Sequence, residues 1–137
     1  MAFDPLLVAA TRDWLRLANE DLVYAVHDLT AQPPFLKDAL FHCQQATEKA
    51  LKAFLTWNDI RFRRVHNLDE IGKQCAEVDS SLTDLARRVR FLSTYASHLR
   101  YPGAEYEPTL DEAESAIGLV REVFDAIASR LPAEASA

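Results

Sequence analysis

Four side chains that could do chemistry are spaced so that one face of a helix would carry them. Arg88, Phe91, Tyr95 and His98 fall within an arc of about 80° when successive residues are placed about 100° apart on a helical wheel. An arginine can hold a phosphate, and a histidine can transfer a proton near neutral pH. The same spacing also suits a solvated arginine, a half-buried tyrosine and a solvated histidine, so both interpretations stay open.

A second group of polar side chains interrupts an apolar segment, FHCQQATEKALKAF at residues 41–54. The apolar residues of this helix cover roughly 200° of the wheel, which predicts a central helix. Gln44 falls inside the apolar arc, with Glu48 one turn further along. A buried amide left unpaired costs about 1–3 kcal/mol, so Gln44 indicates either a bond to a neighbouring helix or second copy, or a cleft. The narrow polar face is predicted to carry His42, Gln45, Lys49 and Lys52.

The elements that position these side chains are predicted to be helices. The chain has 137 residues, of which 49% are hydrophobic and only 3 are glycine, and few glycines make β-hairpin turns hard to build. Apolar residues recur at steps of three and four. This spacing predicts helices from Pro5 to before Ala31, from about Phe35 to Asn58, from Leu68 to about Val78, from near Asp79 to Tyr101, and from Leu110 to about Leu131.

The predicted fold is therefore all-α: an up-and-down antiparallel bundle of four long helices and one short helix, with residues 1–137 as a single domain. We expect N-caps at Asp4, Asn67 and Thr109, because these side chains can accept bonds from the first backbone N–H groups of a helix. The tail at residues 132–137 is expected to fray.

The charge distribution and the cysteines limit the kinds of ligand and cofactor that we expect. The net charge is −6, yet Lys and Arg are concentrated between Lys49 and Arg100, and acidic residues after residue 104. This pattern indicates either two solvated faces or a basic part that binds an anionic ligand. The net charge of the chain would repel such a ligand at long range. Cys43 and Cys75 form no CxxC motif, so we expect no disulfide, no metal site and no cofactor.

The chain has no basic leader and no apolar run of about 18 residues, so we expect a cytoplasmic protein that does not contact the membrane.

Four short motifs follow one another over nearly the whole chain: Ala18-Asn19-Glu20-Asp21-Leu22, FHCQQATEKALKAF, His66-Asn67-Leu68 and Arg100-Tyr101-Pro102. In this combination and order the sequence resembles the HEPN domain of prokaryotes. The resemblance implies a helical bundle that commonly dimerises, with a functional cleft between the protomers. It also implies frequent pairing with a minimal nucleotidyltransferase in toxin–antitoxin systems.

Many HEPN proteins are metal-independent RNases that use R-x4-6-H on the fourth helix, and the sequence departs from that pattern. The positions that should hold the arginine before His98 are Phe91, Leu92 and Ser93. Arg61 and His66 have the right spacing but lie in a predicted loop. We therefore expect a dimeric binding module that pairs with a nucleotidyltransferase or binds a nucleotide or RNA. The alternative is an RNase that uses His98 with a displaced Arg88 or Arg90.

The resemblance implies a ligand- or partner-binding role for the polar positions that match the family. The alternative is structural, with Glu48, Arg100 and Tyr101 joining the second and fourth helices. The matched positions are His42, Gln44, Glu48, Lys49, His66, Tyr95, His98, Arg100 and Tyr101.

Overall fold

The described part of the structure is built from helices and the loops that connect them. The computed structural model describes residues 2–62, 67–98, 102 and 106–136, without the side chains of residues 96–98. No strand occurs in these ranges, and the predicted all-α bundle is confirmed. The helices are α1 (Pro5–Asp28), α2 (Leu36–Trp57), α3 (Leu68–Val78), α4 (Thr83–Val89), α5 (Leu92–His98), α6 (Leu110–Ala128) and α7 (Ala133–Ser136), with a 3-10 turn at Ser80–Leu82.

Local hydrogen bonds set the ends of the helices. The predicted N-caps are confirmed at Asp4, Asn67 and Thr109, each of which accepts a backbone N–H two or three residues on. At the end of α2, Asp59 adopts a φ of 55° and the Ile60 N–H donates to the Leu55 carbonyl over 2.9 Å. This left-handed residue after the cap ends α2 and turns the chain away from it.

The second helix is the centre of the bundle, as the wide apolar arc predicts. Helix α2 packs against α1, α3, α5 and α6, and most of its residues from Ala39 to Leu55 are buried. The core around it includes Leu40, Leu55 and Val120, none of which is exposed to solvent. Because α2 is covered on most sides, its polar residues must find partners inside the protein.

The prediction of one continuous fourth helix is wrong. Helix α4 ends at Val89 and α5 begins at Leu92, and the break is closed by a bond from the Ser93 N–H to the Arg90 carbonyl. This tighter three-residue step lets both Val89 and Leu92 be fully buried. It also brings the Ser93 hydroxyl to the Leu68 N–H at the start of α3, over 2.9 Å.

The expected fraying of the C-terminal tail is also wrong for residues 132–136. Residues Ala133–Ser136 form α7, which packs against α1 and buries Ala135 completely. The Pro132 carbonyl accepts the Ala135 N–H over 2.9 Å. Within the described ranges, no helix combines the length and hydropathy of a membrane span.

Candidate functional site

A buried carboxylate on α1 joins a histidine and a lysine of α2, and we name Asp21, His42 and Lys49 the α1–α2 charge cluster. Asp21 Oδ1 lies 2.8 Å from His42 Nδ1, and Asp21 Oδ2 lies 2.5 Å from Lys49 Nζ. The Asp21 side chain is only 8% exposed. Since a carboxylate accepts, Nδ1 is the His42 nitrogen that carries the hydrogen. His42 and Lys49 therefore contact Asp21 from positions two helical turns apart.

The prediction that this polar face of α2 points outward is wrong for all four residues, including Gln45, which is only partly exposed. His42 and Lys49 are only partly exposed because α1 lies over this side of α2. The Lys52 side chain is 8% exposed and its ammonium group lies near the rings of Trp14 and Phe62, at 5.4 and 5.2 Å from their centroids. The aromatic rings interact favourably with this cation, which offsets part of its loss of water.

Gln44, Glu48 and Lys52 form a buried polar chain along α2, which confirms that Gln44 and Glu48 lie on a buried edge. Gln44 Nε2 donates to Glu48 Oε1 over 3.1 Å, and Lys52 Nζ donates to Glu48 Oε2 over 3.0 Å. Gln45 Nε2 donates to Gln44 Oε1 over 2.6 Å. These bonds satisfy the buried polar groups within α2 itself, and because desolvating an ion pair can cost more than its attraction returns, the chain is no evidence of a net gain in stability.

Two further carboxylates gather around His42, and we name Asp28, Asp38 and His42 the carboxylate–histidine group. His42 Nε2 lies 3.4 Å from Asp38 Oδ2, and one ligand atom from each of the three residues lies within 4.8 Å of the others. Burial, followed by the neighbouring Asp38, raises the pKa of Asp28 to about 6. Asp28 Oδ2 is buried and has no hydrogen-bond partner among the described residues.

Tyr95 lies where α5 meets the neighbouring helices. Its ring meets that of Phe91 edge to face, with centroids 5.9 Å apart. Burial raises the pKa of the Tyr95 hydroxyl, and the negative charge of Glu112 raises it further. Tyr106 donates a hydrogen bond to Glu112, and this bond is the main reason that its own pKa rises to about 12. Both phenols therefore stay protonated at neutral pH and are suited to donate hydrogen bonds rather than to act as bases.

A basic groove runs between α4 and α6, and we name it the arginine groove. Its volume is about 760 Å³, and its walls are Arg87, Arg88, Arg90, Phe91, Ser115, Gly118, Leu119 and Glu122. Phe91 is 48% exposed, and a side chain added at Gly118 would meet nothing within 4 Å. Arg88 Nη2 pairs with Glu122 Oε2 over 2.5 Å. The groove therefore offers guanidinium groups beside an open aromatic ring.

A larger groove of about 880 Å³ lies between α1, α6 and α7. Phe3, Val8 and Phe124 line it together with Arg12 and Arg16. Arg16 is held by Asp13 and Glu20, at 3.5 and 3.6 Å. None of the predicted site residues that the structure describes lies on this groove, so we give it no functional role.

Three of the predicted site residues, His66, Arg100 and Tyr101, lie outside the described residues, and so does the side chain of His98. The expected contact of Gln44 and Glu48 with Arg100 and Tyr101 stays a prediction. The remaining residues separate into distinct places: His42 and Lys49 at the α1–α2 interface, Gln44 and Glu48 inside α2, and Tyr95 near the arginine groove.

Sequence reasoning missed several residues that the structure brings into these groups. Asp21 had a signal, because it stands between Ala18 and Ala25 on the stripe of α1 that is buried. An acidic residue on such a stripe needs a cationic partner. Asp38 lies one turn before His42, so its place beside this histidine could also be predicted from the spacing of the two residues. Arg87 had no signal, because its place beside the α6 residues of the groove depends on how α4 packs and not on spacing along the chain.

A comparison with protein families finds one family model that matches this chain. A model of the HEPN domain matches residues 11–131, which include α1 from Thr11 onward and all of α2 to α6. Comparisons with curated proteins and with solved structures found no significant match. The match spans most of the 137 residues and agrees with the all-helical fold. The chain therefore belongs to the HEPN domain family.

Proposed function

We propose that this HEPN-family chain is a binding module for a nucleotide, taken up free or as part of a short RNA, in the arginine groove. The observation that carries the proposal is the placement of Arg87, Arg88 and Arg90 around the exposed ring of Phe91. Guanidinium groups bind phosphate oxygens in pairs, and an exposed aromatic ring can stack on a nucleobase. The groove volume of about 760 Å³ falls within the usual size of small-ligand sites, about 300–1,000 Å³.

The charges of the groove favour a short ligand. Arg88 already pairs with Glu122, whereas no ion pair of Arg87 or Arg90 is found among the described residues. Arg87 and Arg90 are therefore the residues that offer their charge to a phosphate. The net charge of −6 repels a long polyanion, so one or a few nucleotides fit the electrostatics better than a long RNA.

Binding titrations of the full chain with ATP, a short single-stranded RNA and inorganic phosphate test this proposal. Arg87→Ala and Arg90→Ala should each weaken nucleotide binding at least tenfold, about 1.4 kcal/mol. Phe91→Ala should weaken binding of the nucleotide but not of inorganic phosphate, because only the base stacks. Arg12→Ala is the matched control, since Arg12 is an exposed arginine on the other groove. Absence of binding, or an equal loss in Arg12→Ala, would contradict the proposal.

An RNase remains the second candidate, because Arg88 and Arg90 line the groove just before the helix that ends at His98. In that role Arg88 would have to leave Glu122 to meet a phosphate. Incubating the protein with RNA in EDTA separates the two candidates. Cleavage that is lost in both His98→Ala and Arg90→Ala would establish the RNase, and no cleavage with intact binding would support the module.

Membership of the HEPN family also supports a homodimer and, more specifically, a partnership with a minimal nucleotidyltransferase in a toxin–antitoxin system. Val23 and Phe35 are 55% and 60% exposed, so large apolar side chains are available for a protein contact near the α1–α2 connection. Two free cysteines fit a reducing cytoplasm. Light scattering tests the dimer, and co-purification with a co-expressed nucleotidyltransferase tests the partnership. A monomer at the concentrations of the titrations would contradict the dimer.

A further inference from the structure

The carboxylate–histidine group has the composition of a cation site, and it shares no residue with the arginine groove. Asp28 is the last residue of α1, while Asp38 and His42 lie one turn apart on α2. Their ligand atoms lie within 4.8 Å of one another. Two carboxylates and one imidazole suit first-row divalent cations, for which imidazole and carboxylate are both good ligands.

The orientation of His42 is the first argument for a cation. Its Nδ1–H donates to Asp21, a residue outside the group, so in the neutral imidazole the Nε2 lone pair points towards Asp38. Histidines that ligate metals usually donate their other nitrogen to a carboxylate in this way. The distance of 3.4 Å from Nε2 to Asp38 Oδ2 is long for a hydrogen bond. It matches the separation of two ligand atoms that each lie about 2.1 Å from a tetrahedral metal ion, about 3.4 Å.

The buried oxygen of Asp28 is the second, independent argument. Asp28 Oδ2 is shielded from solvent although the Asp28 side chain is partly exposed, and among the described residues only a proton shared with the Asp38 carboxyl could bond to it. Asp38 is a second carboxylate at the same place. Two carboxylates that face each other need a proton or a cation between them, because their negative charges repel. A bound cation would satisfy the Asp28 oxygen and remove this repulsion.

We propose that Asp28, Asp38 and His42 bind one divalent cation, with Zn²⁺ the best fit, and that Asp21 orients the His42 ring. Zn²⁺ accepts nitrogen and oxygen ligands in tetrahedral geometry and commonly keeps one position for water. The Asp38 side chain is 49% exposed, so a water molecule can reach that position. The cation would join the end of α1 to the start of α2. This inference departs from the expectation that the chain has no metal site.

Calorimetric titration of the untagged full chain with ZnCl₂, after removal of metals with EDTA, tests the proposal. We expect one Zn²⁺ per chain. Asp38→Asn and His42→Gln should weaken binding more than tenfold, and Asp21→Asn should weaken it about 10- to 100-fold through the orientation of His42. Co²⁺ in place of Zn²⁺ should give visible absorption bands that change in His42→Gln. The matched control is Asp13→Asn, which changes an exposed residue of α1.

Circular dichroism shows which variants remain folded, and Asp28→Asn replaces Asp38→Asn if the latter unfolds. Failure of the wild-type chain to bind Zn²⁺ would overturn the proposal and indicate that Asp28 and Asp38 share a proton. Undiminished binding in a folded Asp28→Asn or Asp38→Asn variant would overturn it as well. Binding that is lost in Cys43→Ala with Cys75→Ala, but kept in the aspartate variants, would place the metal on the thiols instead.

Discussion

At the scale of single residues, the polar side chains of α2 act through their partners. His42 and Lys49 share Asp21, and Glu48 contacts both Gln44 and Lys52. The Asp21 contacts join α1 to α2, and side chains that are held by such partners are poorly placed to meet a substrate. Arg87 and Arg90, at the end of α4 and just after it, line the arginine groove and have no ion pair among the described residues.

Replacing Asp21 should show how much the α1–α2 charge cluster contributes to the free energy of unfolding. In Asp21→Ala, His42 and Lys49 keep their partly buried positions without their common acceptor, so we expect a loss of about 3 kcal/mol in the free energy of unfolding. Urea denaturation measures this change. Asp13→Ala is the control, because the Asp13 side chain is 70% exposed and its loss should cost less than about 0.5 kcal/mol. Equal losses in the two variants would contradict a stabilising role for Asp21.

The two thiols should be inert in the folded protein. Cys43 and Cys75 are buried, and burial raises the pKa of each thiol from 9.0 to about 12. The folded state therefore favours the neutral thiols, and stability should fall as the pH rises from about 9 towards 12, where the unfolded chain ionises first. A thiol reagent at pH 8 should label neither cysteine until denaturant is added. Rapid labelling of the native protein would contradict this burial.

At the scale of elements, the sequence predicted the helices well because most ends carry local signals. Asp4, Asn67 and Thr109 cap helices through their own backbone neighbours, so their positions could be read without the fold. The break after α4 could not, because it accompanies a contact between Ser93 and the N–H of Leu68, 25 residues away, which local spacing does not show. The covering of Lys52 by α1 is likewise a tertiary effect that a helical wheel does not contain.

The two described glycines in helices should respond to substitution in opposite ways. Gly118 lies within α6, and a Cβ there meets nothing within 4 Å, so Gly118→Ala should stabilise the protein by about 0.5–1 kcal/mol through higher helix propensity. At Gly72 of α3, a Cβ would lie 3.1 Å from the Ala86 Cβ. Gly72→Val should therefore cost about 1–3 kcal/mol through overpacking. Thermal unfolding of the two variants measures both changes in stability. Stabilisation by Gly72→Val would contradict the close packing of α3 on α4.

At the scale of the whole molecule, the protein combines a net charge of −6 with a local basic groove. A phosphate ligand is attracted only close to the arginines, while the overall field opposes its approach. Binding of a mononucleotide should weaken as salt rises, because salt screens the contacts to Arg87 and Arg90. Titrations at increasing NaCl concentration measure this effect. Affinity for ATP that does not change with salt would contradict recognition through exposed guanidinium groups.

The most direct test of the proposed function is a map of nucleotide binding by backbone amide chemical shifts of the labelled full chain. Addition of ATP should shift the amides of residues 87–91 on one side of the arginine groove and of residues 115–122 on the other, and leave those that line the α1–α6–α7 groove in place. The shifts at residues 87–91 should shrink in Arg90→Ala. Shifts confined to the other groove, or no shifts at saturating ATP, would contradict nucleotide binding between α4 and α6.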